Sequence, residues 1–272
     1  MSEKLTECQS AAEQALLERG AEFLKNGDYD AAVASFSGVV RLNPCNDEAF
    51  ACRALVYCDM KDYGACDRDF QAAIKLNFKE IRYYNLWAYV CYKAKRYNLA
   101  ADICRSAIRV NPNCHDAYHL LGRVCYALCE YEDAVSQFDA AIKHAPKPVD
   151  TYYLNRGMAY ADLERYDDAI SDYTEAIKLN PEDAILYTSR ALAYYRTGRY
   201  EDLISDCTKG IKINPEDAFL HAMRVRAGEL TKPSRWRLAP AAPKQPGASR
   251  KRRPSASAVR APFTSLGGAA KR

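Results

Sequence analysis

The sequence predicts an all-α protein built as an array of stacked helical hairpins. A tyrosine recurs at Tyr29, Tyr63, Tyr97, Tyr131, Tyr166 and Tyr200, with spacings of 34, 34, 34, 35 and 34 residues. Prolines keep the same period at Pro44, Pro112, Pro146, Pro181 and Pro215, with Phe78 in the remaining slot. Within each period two stretches place apolar residues three and four apart, the spacing of one helix face. A fixed period in this range is the mark of a repeat array.

With the proline site numbered 32, the units run 13–46, 47–80, 81–114, 115–148, 150–183 and 184–217, after an extension over 1–12. Val149 is a single inserted residue in a loop, where it is tolerated. In the first helix of each unit, position 8 is Gly20, Ala54, Ala88, Gly122, Gly157 and Ala191. Six small residues there imply close helix–helix contact. Position 11 is Phe23, Tyr57, Cys91, Cys125, Tyr160 and Tyr194.

A turn follows, read from Asn26-Gly27-Asp28-Tyr29, Thr197-Gly198-Arg199-Tyr200 and their counterparts, with glycine permitting the tight bend. Each recurring tyrosine falls at position 17, the entrance to the second helix. The acidic residue after it (Asp30, Glu132, Asp167, Glu201) suits the positive end of a new helix. In the second helix, position 20 is Ala32, Cys66, Ala100, Ala134, Ala169 and Leu203. Position 24 is Phe36, Phe70, Cys104, Phe138, Tyr173 and Cys207, and position 27 is Val39, Ala73, Ala107, Ala141, Ala176 and Gly210. The small residues admit the first helix and the large ones fill the space between hairpins. Leu-Asn-Pro or a variant ends each unit, and Pro-Glu-Asp-Ala starts the next with proline expected in or near its first turn. A further first helix begins at Ala218-Phe219-Leu220-His221 and has no second helix.

These positions resemble the tetratricopeptide repeat family: bulky at 4 (Leu16, Phe50, Tyr84, Tyr118, Tyr153, Tyr187), small at 8, aromatic at 11, alanine at 20, aromatic at 24, alanine at 27 and proline at 32. The resemblance covers about three quarters of the chain. Phe78 in the second unit and Leu203 and Gly210 in the sixth depart from it. It implies a right-handed superhelical solenoid whose concave groove is lined by first-helix positions 2, 5, 6, 9, 12 and 13, and it implies that 218–231 is a capping helix. The groove candidates are Arg82, Asn85, Tyr89, Tyr92, His119, Arg123, Tyr126, Asn155, Met158, Tyr195 and Arg196. Tyrosine, arginine and asparagine anchor interfaces and bond to extended peptide backbones. The expected role is a non-catalytic adaptor or co-chaperone-like scaffold that holds a peptide of a protein partner. Structural subunit of a larger complex is an open alternative.

Relatives that capture the C-terminal carboxylate of heat-shock chaperones do so with a clamp of bases and asparagines at set positions. From the first unit this chain offers Leu17, Ala21, Cys52, Arg82 and Leu86; from the fourth, His119, Arg123, Asn155, Ile185 and Ser189. In the fourth-unit set only Asn155 fits, with His119 as a weak substitute for the base, so a chaperone tail is not the expected ligand, because a carboxylate gains little in such a groove without cationic partners.

No metal or cofactor is expected. His115 and His119 lie four apart beside Cys114, Cys125 and Cys129, yet no set of four ligands has zinc-site spacing. GxSxG, P-loop and HExxH motifs are absent, and no catalytic constellation stands in place of them. The eleven cysteines include no CxxC, and Cys52, Cys66, Cys91, Cys104, Cys125 and Cys207 fall inside helical patterns. They read as reduced structural thiols. Met1–Glu7 carries no apolar signal run, and no stretch reaches the ~18 apolar residues of a membrane span. Cytoplasm or nucleus is the expected setting.

The net charge of +4 conceals segregation: residues 232–272 hold eleven basic and no acidic residues, leaving −7 on the remainder. This Pro-, Ala- and Ser-rich tail cannot bury enough surface to fold alone and is expected to be disordered. Arg250, Lys251, Arg252 and Arg253 resemble a nuclear-import run, and Arg252-Arg253-Pro254-Ser255 resembles an arginine-directed kinase site at Ser255. A plain solvated tail, and contact of the tail with nucleic acid or a membrane surface, stay open beside import. Aromatic residues within it are few, Trp236 and Phe263, so single-strand stacking has little support.

Overall fold

The structure, a computed structural model, describes residues 2–231, with side chains from residue 10 onward. The tail readings, including Arg250, Lys251, Arg252, Arg253 and Ser255, lie outside the described residues. Thirteen helices make up the described residues, and no strand occurs among them. They are α1 (Ser2–Asn26), α2 (Tyr29–Leu42), α3 (Asp47–Asp59), α4 (Tyr63–Leu76), α5 (Ile81–Lys93), α6 (Tyr97–Val110) and α7 (His115–Ala127). There follow α8 (Tyr131–His144), α9 (Asp150–Asp162), α10 (Tyr166–Leu179), α11 (Ala184–Thr197), α12 (Tyr200–Ile213) and α13 (Ala218–Leu230). Helices pack in consecutive pairs, α1 on α2 through α11 on α12, each pair packs on the next, and α13 lies on α12. The result is a solenoid in which α1 is one continuous helix across residue 13.

Every second helix begins at its recurring tyrosine. The residue two before that tyrosine is left-handed throughout. Gly27 and Gly198 have φ of 78° and 75°, while Lys61, Lys95, Cys129 and Glu164 have φ of 63°, 59°, 64° and 61°. Packing therefore imposes the turn even where glycine is missing, at the steric cost a Cβ carries in that region. The prolines sit differently from the sequence expectation. Pro181 and Pro215 lie in the loops, and Asp183 and Asp217 cap α11 and α13, accepting from the amides of Ile185, Phe219 and Leu220.

Position 8 is as crowded as its small residues imply. A Cβ on Gly20 would stand 2.6 Å from the Phe36 ring, one on Gly122 2.6 Å from Phe138, and one on Gly157 2.7 Å from Tyr173. Glycine at 8 and a ring at 24 thus form one packing unit in the first, fourth and fifth hairpins. Buried apolar residues form three clusters along the stack, and Phe36, Phe70, Phe138, Leu186, Leu203 and Leu220 are the largest fully buried side chains among the described residues.

Two polar contacts recur with the period. The asparagine before the proline slot reaches back to the first acid of its own unit: Asn43 to Glu13 at 3.1 Å, Asn77 to Asp47 at 2.9 Å and Asn180 to Asp150 at 3.0 Å. Each closes the foot of a hairpin. The second contact joins arginine at position 7 to aspartate at 23, as Arg53–Asp69, Arg156–Asp172 and Arg190–Asp206. The free arm of each arginine donates to position 25 of the preceding unit: Ser37, Asp139 and Thr174. One side chain thereby stitches two hairpins. Units three and four lack the stitch, having Trp87 and Leu121 at position 7.

Candidate functional site

Those two units also carry a concavity. Helices α5 and α7 line a cleft of about 770 Å³ with Arg82, Asn85, Leu86 and Tyr89 on one wall and Asp116, His119, Leu120 and Arg123 on the other. Asn111, Asn113, Cys114, His144 and Pro146 also contribute. The two helices turn these faces to the cleft because other faces are spent on the core: Tyr84, Ala88 and Cys91 on α5, Leu121, Val124 and Cys125 on α7.

The cleft collects five of the eleven groove candidates, namely Arg82, Asn85, Tyr89, His119 and Arg123. Tyr92 supports them from below. The Arg123 guanidinium lies over its ring at 4.6 Å, a cation–π contact that fixes where the charge is presented. Asn155, on α9, holds His119 through a 2.7 Å contact between its amide nitrogen and Nε2. Tyr126 donates to Asp162 and leans on Tyr131 at 5.5 Å. Met158, Tyr195 and Arg196 do not line this cleft. Met158 and Tyr195 pack in a separate apolar cluster of the last two hairpins and α13, where Arg226 covers the Tyr195 ring at 5.4 Å. Arg226 on Tyr195 and Arg123 on Tyr92 are the same relation, position 9 of one unit over position 12 of the unit before.

Tyr152 is the residue that the sequence reading missed. It donates to Asp116 at 3.0 Å, lies 2.8 Å from His115 Nδ1, and stacks on His119 at 4.4 Å between centroids. Its counterpart Tyr83 reaches Asp47 of the preceding unit at 3.0 Å, so tyrosine at position 3 was the available signal. Both histidines are thus engaged by neighbours. Burial first, and then the nearby Arg123 and His115, push His119 down to about 3, so it is neutral at physiological pH. Among the described residues no three His, Cys, Asp or Glu side chains gather to hold a metal ion. Burial raises the buried thiols, Cys91 and Cys104 each to about 12, and the ten cysteines with described side chains are free thiols.

A second cleft of about 570 Å³ opens on the side formed by α4 and α6. Ile74, Tyr84, Trp87, Leu99, Ile103 and Val110 give it an apolar floor. Trp87 stands where the arginine stitch would be, its indole stacked on Phe70 at 6.2 Å and its N–H donating to Asp67 at 2.8 Å. No helix of the described residues is long and apolar enough to cross a membrane.

Comparison with known proteins places the chain among repeat proteins. A family described as TPR repeat matches residues 157–198, and two described as tetratricopeptide repeat match 92–155 and 184–217. Pseudomonas aeruginosa pilF has a similar solved structure, 15% identical, with a TM-score of 0.63 over 80% of this chain and 99% of that one. The structure of YrrB, described as a TPR protein with an unusual peptide-binding site, is 18% identical, with a TM-score of 0.56 over 71% of this chain and 97% of that one. The Cut9–Hcn1 hetero-tetramer of the APC/C gives 19% identity and a TM-score of 0.57 over 81% of this chain and 46% of that one. At these identities the likeness is one of fold. No curated protein matches the chain.

Proposed function

Because the chain belongs to the tetratricopeptide repeat family, whose repeats serve protein–protein interaction, we propose that it is a non-catalytic adaptor holding an extended peptide of a protein partner in the α5–α7 cleft. One observation carries this reading. The cleft gathers Arg82, Asn85, Tyr89, His119 and Arg123 from the concave positions of two adjacent units, at the place where the interhairpin arginine stitch is interrupted. Tyr89 is 46% exposed, an aromatic ring with no role in the core. Exposed aromatic and arginine side chains around a concavity are what an interface anchor requires.

The second cleft supports another reading, a structural subunit whose α4–α6 side is held in a larger assembly. A photo-crosslinking residue at Tyr89 separates the two from one at Leu99. The adaptor reading expects a discrete partner peptide crosslinked at Tyr89, lost when Arg123→Gln and Asn155→Ala are combined while helicity is kept. Crosslinks confined to Leu99 would overturn it in favour of the subunit reading.

A further inference from the structure

We infer that the α5–α7 cleft selects peptide segments carrying an aspartate or glutamate, whose carboxylate is received by Arg82 and Arg123. The inference rests on the adaptor reading and names what that groove prefers.

The arginines of this array fall into two kinds. Arg53, Arg156 and Arg190 each grip an aspartate with two nitrogens at 2.6–2.8 Å. Arg123 has no carboxylate within ion-pair distance among the described residues; its guanidinium rests on Tyr92 at 4.6 Å instead. Arg82 comes no closer than 3.9 Å to Glu48, and both side chains are more than half exposed. A pair that loose and wet contributes little and is readily exchanged. The cleft therefore presents one unpaired and one weakly paired guanidinium on its two walls.

Asp116 is the one carboxylate in the lining, and it is already used. It accepts from the Tyr152 hydroxyl at 3.0 Å and lies 3.3 Å from His115 Nδ1. His119 stays neutral and holds Asn155. Two arginines against one aspartate leave a single positive charge unbalanced. One side-chain carboxylate neutralises it, whereas a phosphoryl group would bring nearly two negative charges. Guanidinium is also suited in shape, since its planar fork pairs with both carboxylate oxygens. Tyr92 holds the Arg123 fork in place beforehand, which reduces the ordering cost on binding. Tyr89 beside it offers a ring face for an apolar neighbour of the acid.

The test is selection of random twelve-residue peptides displayed on phage against the full chain at physiological ionic strength, since high salt would screen the exposed Arg82 together with the basic segment. A parallel selection uses the Arg82→Gln/Arg123→Gln variant, checked for unchanged helicity. Both proteins keep the basic 232–272 segment, so its attraction for acidic peptides enters both selections equally. The expected result is aspartate or glutamate at one fixed position with the natural protein and loss of that position with the variant. A recovered peptide with that acid changed to its amide should bind about tenfold more weakly, the scale of a charge-assisted contact. Recovered peptides without a fixed acid, or the same fixed acid with the variant, would overturn the inference. Tyr89→Ala tells the two readings apart. If it abolishes capture of non-acidic peptides, the groove reading stands and the acid preference falls. If capture ignores it, or no peptide is recovered, both fall.

Discussion

Arg190 and Asp206 form a buried two-pronged ion pair, with Nε and Nη2 of the arginine donating to the two carboxylate oxygens at 2.7 and 2.8 Å. Their side chains are only 10% and 3% exposed. Nη1 goes on to Thr174 of the preceding hairpin at 2.8 Å. Removing one partner strands a charge that the core cannot solvate. Asp206→Ala should therefore cost about 3–5 kcal/mol in urea unfolding, and Arg190→Met on top of it should recover much of the loss. Arg199 and Asp202, each about half exposed, supply the control, since Asp202→Ala should cost under about 1 kcal/mol. Equal costs at the two sites would show that the buried pair is not a stitch.

Glycine at position 8 is a packing requirement, and a single methyl group tests it. Gly122→Ala drives a Cβ to 2.6 Å from the Phe138 ring, which lies in a filled core. Overpacking of this kind costs about 1–3 kcal/mol. Gly228 lies on α13 with nothing near its missing Cβ, so Gly228→Ala should stabilise by roughly 0.5–1 kcal/mol through helix propensity alone. Thermal unfolding by circular dichroism separates the signs, and a stabilising Gly122→Ala would contradict the packing account.

The left-handed turns hold four side chains where glycine is favoured. Lys95→Gly and Cys129→Gly should each stabilise by about 1 kcal/mol, the steric relief less the entropy glycine loses on folding. Gly198→Ala should destabilise by a similar amount for the same reason, φ there being 75°. Paired chemical unfolding of these variants checks both directions.

His119 makes stability depend on pH. Its folded value is lowered to about 3 from an ordinary 6.5, so the folded state favours the neutral ring. The contribution is complete above about 6.5 and declines as pH falls toward 3, because the unfolded chain takes up the proton first. The expected slope is at most ~1.4 kcal/mol per pH unit in that window. His119→Gln, which cannot charge, should flatten the acid limb of midpoint against pH. An unchanged limb would assign the acid sensitivity elsewhere.

Much of this architecture is legible from spacing. The six tyrosines mark the starts of the second helices because a turn of constant length returns the chain at the same point in every unit. Residues at 8, 20, 24 and 27 face the core because steps of three and four stay on one side of a helix. The groove candidates were legible only as positions. His119 and Asn155 looked like independent contacts, yet they are hydrogen-bonded to each other across 36 residues. Tyr152, which binds Asp116 and stacks on His119, was missed because position 3 carries no weight in the periodic pattern.

By itself the sequence determined the period, the helix faces, the loop that absorbs Val149 and the stretch of chain on which contrasting surface residues fall. These are local properties: a residue's place on its helix follows from rise and turn alone. Tertiary structure decided which side chains are spent and which are left. It locked Arg53, Arg156 and Arg190 onto aspartates sixteen residues away, opened a cleft on either side of α5, and left Arg123 on Tyr92 with no acid to hold among the described residues. Such choices depend on distances between separate hairpins, and those distances are set by how rings and small residues fill the space between helices.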